Sequence, residues 1–122
     1  MTRRAARIDR NQPEIVDALR RTGVSVETLA AVGEGVPDLL CALANDQTFL
    51  LEVKDGSKPA SERKLTKDQV IWHARWRGRV HVVTSVDEAL AVAAHYRARP
   101  SAWPAEAPAQ QAENIYARNE SR

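Results

Sequence analysis

The sequence contains a single cysteine, Cys41, and no long apolar run. One cysteine cannot form an internal disulfide, which is the usage expected in a reducing cytoplasm. No segment approaches the roughly 18 apolar residues of a membrane-spanning helix. The N-terminal arginines are not followed by the apolar segment of a secretory signal. No glycine-rich loop of the kind that cradles nucleotides is present. We therefore expect a cytoplasmic protein that neither enters a membrane nor binds a nucleotide in such a loop.

The 122 residues are enough for one domain with one core. The net charge of +2 hides an uneven distribution, because basic residues strongly outnumber acidic ones between Lys58 and Arg79. A local basic patch suits a polyanion such as nucleic acid, although a solvated surface gives the same pattern. The basic residues nearest the start of this segment are Lys58, Arg63, Lys64 and Lys67.

Capping boxes, in which a small polar residue is followed three positions later by Glu or Gln, predict three helices. The boxes pair Asn11 with Glu14, Thr66 with Gln69 and Ser85 with Glu88, and the helices run to about Arg21, Arg77 and Arg97. Apolar and β-branched content predicts strands at 24–32, 37–43, 48–54 and 79–84. The last strand follows a helix, so some pairing must be parallel. We expect an α/β fold with a mixed sheet in the order α-β-β-β-α-β, flanked by helices.

Glu52 and Lys54 alternate with Leu51 and Val53, so the two charges share one face of a strand. Charges on such an apolar strand are costly to bury unless they pair, form hydrogen bonds or bind a metal. Asp38 adds a second carboxylate at the start of the preceding apolar segment. Two carboxylates and a lysine on neighbouring strands are what a divalent-metal phosphodiesterase site needs. The alternatives are a simple ion pair on an exposed strand and, for Asp38, a turn residue.

An ordered set of residues resembles the motifs of the PD-(D/E)XK nuclease superfamily: Glu14, Pro37-Asp38, Glu52-Val53-Lys54 and Thr66-Lys67-Asp68-Gln69. Within that superfamily the set looks most like the small VRR-NUC domain, which occurs alone in phages and prophages or joined to larger repair nucleases. The likeness covers about Asp9 to Leu90. It implies a restriction-endonuclease-like mixed sheet, which we assign to residues 1–98. Residues 99–122 contain prolines and few large apolar residues, so they are expected to form a flexible or docking tail. The likeness also implies hydrolysis of nucleic-acid phosphodiesters with Mg²⁺ or Mn²⁺.

The resemblance also implies a role for each residue of the central motif. Asp38, Glu52 and the backbone carbonyl of Val53 would bind the metal. Lys54 would orient the attacking water and stabilise charge at the phosphate.

The helical candidates carry competing interpretations. By the resemblance, Glu14 would support a metal-bound water or a second metal, and Gln69 would place Lys54 or the substrate. Both residues are equally well explained as capping partners. Trp72 and Trp76 are four residues apart, which predicts a core-facing pair rather than a platform for base stacking. His73 has no partner at metal-ligand spacing, so a structural position is expected.

The leading functional prediction is a metal-dependent DNA endonuclease, with branched or flapped DNA as the candidate substrate. The four basic residues that begin the basic segment would hold phosphates and make affinity salt-dependent. The alternative is a non-catalytic nucleic-acid-binding or assembly protein that retains the nuclease fold. Because so small a chain offers little surface for a branched duplex, a symmetric homodimer is the expected assembly.

Overall fold

Three α-helices and four strands make up the part of the chain that the computed structural model describes, residues 8–101. They follow one another as α1 (Gln12–Arg21), β1 (Ser25–Thr28), β2 (Leu39–Ala42), β3 (Thr48–Val53), α2 (Lys67–Arg75), β4 (Val80–Val83) and α3 (Val86–Arg97). The predicted order of elements is confirmed, and a short 3₁₀ turn at Ala60–Glu62 is added to the loop after β3. The N-terminal arginines before Ile8 and the predicted tail beyond Ser101 lie outside the described residues.

The strands form one mixed sheet in the order β1-β2-β3-β4. β1 pairs with β2 and β2 with β3 in antiparallel fashion, while β3 and β4 are parallel. The predicted mixed sheet is therefore confirmed, and β2 and β3 form a hairpin. β1 is much shorter than the predicted 24–32. The reason is a turn directly after Leu29, in which the Val32 N–H donates to the Leu29 carbonyl at 3.0 Å and takes the chain out of the extended conformation.

One face of the sheet carries the hydrophobic core. Phe49, Leu51 and Val53 point from β3 into a cluster that includes Ile15 and Leu19 of α1, and all five side chains are almost fully buried. Burying one such side chain stabilises a fold by about 1.5–3 kcal/mol. The alternation places Glu52 and Lys54 on the opposite face, as the sequence predicts. None of the helices between residues 8 and 101 is long and apolar enough to cross a membrane.

α2 lies over the second face of the sheet and buries little there. None of its residues is fully buried, and Trp76 is 47% exposed. Trp72 and Trp76 stack on each other, with ring centroids 4.8 Å apart. The prediction that they form a core face is wrong because the helix ends at Arg75. Trp76 is its extended C-cap residue and does not continue the helical surface.

Two of the three predicted capping boxes are formed at least in part. The Thr66 side chain accepts a hydrogen bond from the Gln69 N–H, and Gln69 reciprocates, so this box is complete. The Ser85 side chain accepts from the Glu88 N–H. Glu88, however, accepts from the N–H and the hydroxyl of Thr84, one residue before the cap.

The predicted box between Asn11 and Glu14 is not formed, although α1 begins directly after Asn11. The Asn11 amide instead donates to the carbonyls of Lys54 and Thr84, at 3.1 Å and 3.0 Å. These long-range bonds take the side chain away from the helix end. They also fasten the start of α1 to the ends of β3 and β4.

Candidate functional site

A cavity of about 290 Å³ opens beside the C-terminal end of β3. Four sequence-predicted side chains line it, those of Asp38, Glu52, Lys54 and Gln69. Glu14 does not line this cavity, and its side chain is exposed on α1. The structure thus brings together the predicted residues of the strands and of α2, and leaves out the one predicted from α1.

Asp38 is placed beside Glu52 by the register of the central hairpin. Leu39 of β2 pairs with Leu51 of β3, so the residue before Leu39 adjoins the residue after Leu51. Asp38 is 4% exposed, and its Oδ2 accepts a hydrogen bond of 2.6 Å from the Val53 N–H. The Val53 side chain lies in the core, so only its backbone faces this region. Asp38 is therefore a fixed part of the site and not only a turn residue.

Lys54 is held at three points although it follows the last residue of β3. Its N–H donates to the Val83 carbonyl at 2.9 Å, and its carbonyl accepts from Asn11. Its Nζ donates to Gln69 Oε1 at 2.7 Å. With the residue only 8% exposed, the ammonium group has a defined position in the cavity wall.

Gln69 connects α2 to both charged residues of β3. Its Nε2 donates to Glu52 Oε2 at 3.2 Å, and its Oε1 accepts from Lys54 and, at 2.8 Å, from the Thr66 N–H. The same side chain therefore closes the capping box and bridges Glu52 to Lys54. The two interpretations of Gln69 drawn from the sequence are both compatible with this geometry.

Glu52 is 1% exposed, and its surroundings disfavour a charge. Burial raises the pKa of its carboxyl to about 9, helped by a hydrogen bond and by repulsion from Asp38, while Lys54 opposes the shift. In the absence of a cation, this shift favours the protonated form of Glu52. Two carboxyl groups kept this close favour the binding of a positive charge between them.

Asp9 is a third carboxyl of the cavity, and sequence reasoning missed it. Burial raises its pKa, and so does the negative charge of Asp38, while Lys54 and Lys58 lower it. Asp9 precedes the α1 N-cap by two residues. An acidic residue there is ordinary in sequence, so no local pattern marks it.

His73 lies one helical turn beyond Gln69 and also faces Glu52. Its Nε2 is 3.9 Å from Glu52 Oε1, and each of these two atoms is buried without a hydrogen-bond partner among the described residues. Burial lowers the pKa of His73, and the nearby Lys54 lowers it further. With a neutral histidine and a protonated Glu52, the contact is not an ion pair in the metal-free protein.

The cavity wall next to α2 can form only with glycine at position 35. Gly35 has φ of 83°, and a Cβ at this position would lie 2.4 Å from the Asp68 carbonyl oxygen. The loop over residues 33–36 can therefore approach the first turn of α2 only with glycine there. This contact forms the outer wall of the cavity, next to Thr66 and Gln69.

The predicted nucleic-acid-binding residues follow β3 and lead into α2. Lys58, Lys64 and Lys67 are exposed and Arg63 is half-buried. Lys58 is close enough to the cavity to lower the pKa of Asp9. Contact of these residues with nucleic acid stays a prediction.

The residues present fit a divalent cation in part. Within residues 8–101, no three side chains of His, Cys, Asp or Glu form a cluster that could hold a metal ion. The predicted ligand set needs only two such side chains, Asp38 and Glu52, together with the Val53 carbonyl. Glu52 Oε1, buried and without a hydrogen-bond partner among the described residues, is the kind of oxygen that a hard cation would satisfy.

The fold and the cavity together define a class of protein. Proteins of this class have a mixed sheet with helices, and a central strand places a carboxyl group and a lysine beside a second carboxyl group. A solved structure described as a "VRR_NUC domain" is similar to this chain, with 28% identical residues and a TM-score of 0.54. The similarity covers 70% of this chain and 97% of that one. Neither a family model nor a curated protein matches the chain. The chain therefore has a VRR-NUC nuclease-like fold, consistent with the PD-(D/E)XK superfamily, and the resemblance found in its sequence is confirmed.

Proposed function

We propose that this protein is a divalent-metal-dependent nuclease that hydrolyses phosphodiester bonds in DNA. The observation that carries the proposal is the meeting of Asp38, Glu52, Lys54 and Gln69 in one cavity of a VRR-NUC-like fold. Asp38, Glu52 and the Val53 carbonyl would hold Mg²⁺ or Mn²⁺, which supplies Lewis-acid stabilisation of the phosphate.

Lys54 would act on the substrate directly. Its ammonium group, oriented by Gln69 Oε1, would place the attacking water and offset the charge that develops on a phosphate oxygen. A donor fixed before the reaction needs no reorganisation during it, which is the physical basis of such stabilisation. The three bonds that hold Lys54 support this role.

Asp9 takes the supporting role in this proposal that the resemblance implied for Glu14. It lines the cavity beside Asp38 and interacts with Lys54, whereas Glu14 is exposed on α1. Its carboxylate would add negative charge near the cation and help to order the water in the cavity. Glu14 is therefore the matched control for Asp9.

The test is a nicking assay with Mg²⁺, with Mn²⁺ and with chelator. We expect Asp38→Asn and Glu52→Gln to abolish cleavage while the protein stays folded. Lys54→Ala should lower turnover by about 10²-fold, the usual scale for removal of one electrostatic stabiliser. Asp9→Asn should lower it more than Glu14→Gln. Full activity in Asp38→Asn would overturn the proposal.

The finer assignments need a substrate panel. Duplex, single strand, flap, four-way junction and RNA, each with metal, would show whether branched or flapped DNA is preferred. Light scattering on the same sample would test for the symmetric dimer that two-sided cutting of a junction needs. DNA binding without metal-dependent cleavage on any substrate would favour the non-catalytic alternative.

A further inference from the structure

Two buried polar atoms face each other behind the cavity wall that Glu52 forms, without making a hydrogen bond. Glu52 Oε1 and His73 Nε2 are 3.9 Å apart, on side chains that are 2% and 15% exposed. Leaving a buried polar atom without a hydrogen-bond partner destabilises a fold. Packing alone does not explain why two such atoms, Glu52 Oε1 and His73 Nε2, lie so close together.

The helix geometry explains why both oxygens of Glu52 face α2. Gln69 and His73 are four residues apart, so their side chains lie on one face of the helix. Gln69 Nε2 donates to Glu52 Oε2, and His73 Nε2 is aimed at the other oxygen, Oε1. α2 therefore presents one donor to each oxygen of a single carboxyl group.

The pair does not have the geometry of a strong ion pair, because the 3.9 Å between Nε2 and Oε1 is well beyond the length of a charge-assisted hydrogen bond. Packing does not explain it either. The His73 ring contacts Trp72 edge-on at 6.0 Å, a contact that places no requirement on where Nε2 points. An ionised Glu52 would require His73 Nε2 to point at Oε1, because the second carboxylate oxygen then needs a donor.

We propose that His73 is a positioning residue of the metal site: its Nε2–H donates to Glu52 Oε1 when the Glu52 carboxylate holds a divalent cation. The inference rests on the proposed function. His73 contacts neither substrate nor cation and acts only through Glu52. Together with Gln69 it fixes the plane of the carboxylate, as outer partners of metal ligands do elsewhere.

The test measures Mn²⁺ binding by calorimetry, without DNA, to the full chain. His73→Ala should weaken binding about 10-fold, the lower end of the effect of removing an outer partner. His73→Gln keeps an N–H donor at a similar reach and should restore most of the affinity. His95→Ala, which removes an exposed histidine from α3, is the matched control and should bind like the wild type.

Asp38→Asn in the same series separates the two proposals. Loss of Mn²⁺ binding in Asp38→Asn with unchanged binding in His73→Ala would overturn the role of His73 alone. Unchanged binding in both variants, or no binding by the wild type, would overturn the metal site and the inference with it.

A spectroscopic measurement keeps the inference testable if His73→Ala fails to fold. Imidazole ¹⁵N spectra of the wild type with Mg²⁺ should show His73 as the Nε2–H tautomer, with a proton protected from exchange by its bond to Glu52. A neutral His73 protonated at Nδ1 would overturn the inference, because its Nε2 could not then donate.

Discussion

The fold around Glu52 raises the pKa of its carboxyl group and so favours the protonated form. Its side chain is buried beside Asp38, and this raises its pKa from 4.5 to about 9. The neighbouring Lys54 does not cancel the shift, because desolvation is the largest cause. A positive charge close to Glu52 would act in the opposite direction and favour its ionised form.

This shift predicts how the stability of the metal-free protein depends on pH. Between pH 7 and pH 9 the folded Glu52 keeps its proton, whereas in the unfolded chain it is ionised. The folded state binds more protons in this range, so the free energy of unfolding should fall as pH rises. Glu52→Gln should flatten the fall, which urea unfolding at several pH values in the presence of chelator would measure.

Glu14→Gln is the control for this experiment, because it makes the same chemical change at an exposed position of α1. It should leave the pH dependence unchanged. A wild type and a Glu52→Gln variant with the same slope between pH 7 and pH 9 would contradict the prediction. His73 and His81 should not contribute to the slope, because burial lowers the pKa of each and favours its neutral form in this range.

At the scale of elements, α2 is both a structural unit and a wall of the site. Its first turn is fixed by the box between Thr66 and Gln69, and Gly35 lets the loop before β2 pack directly against that turn. Gln69 belongs to the cap and to the cavity at once. Loosening the helix start should therefore disturb the site as well as the fold.

Paired cap variants test this dual role. Thr66→Ala and Ser85→Ala each remove a side-chain cap, from α2 and from α3, and each should lower the free energy of unfolding by about 1 kcal/mol. Only Thr66→Ala should also slow metal-dependent cleavage, because it removes the bond to the Gln69 N–H and so loosens the helix turn from which the Gln69 side chain reaches Lys54. Urea unfolding and nicking rates on the same samples would measure both effects. An equal loss of cleavage in the two variants would show that stability alone is responsible.

The elements predicted well from sequence are those whose local pattern agrees with their tertiary contacts. The alternation in β3 indicates the shared face of Glu52 and Lys54, and the sheet keeps it. The box at Thr66 predicts the start of α2, and the same bonds form in the structure. Here a local rule is sufficient, because the distant contacts do not displace the local bonds: Gln69 Oε1 accepts from Lys54 and still accepts from the Thr66 N–H.

The predictions that fail are decided by distant contacts. Asn11 bonds to the ends of two strands and not to its own helix. Trp76 leaves the helical surface because α2 ends one residue earlier. Asp9 enters the cavity only because the start of α1 is fastened to β3. No window of a few residues contains this information, so sequence reasoning chose Glu14, which has the expected type on the expected helix.

At the scale of the whole molecule, charge is distributed so that an acidic cavity adjoins a basic rim. Asp9, Asp38 and Glu52 line the cavity, while Lys58 lies close enough to influence Asp9. The basic side chains of the loop after β3 and of the α2 start are mostly exposed. A polyanion attracted to this rim would bring a phosphate close to the cavity, whereas the carboxyl groups would repel it unless a cation were bound.

The rim leads to a prediction about the salt dependence of DNA binding. Neutralising Lys58, Arg63, Lys64 and Lys67 to Gln should weaken binding to all sequences about equally, because bonds to phosphate carry no sequence information. The slope of log affinity against log salt should shrink by about one for each phosphate that is no longer neutralised.

Arg21→Gln is the control, since Arg21 is exposed and paired with Asp17 at 2.8 Å on α1, away from the cavity. Titrations of duplex DNA at several salt concentrations would give the slopes, with Ca²⁺ in place of Mg²⁺ to limit cleavage. Unchanged slopes in the quadruple variant would move the DNA path away from the rim, with the N-terminal arginines as the next surface to neutralise.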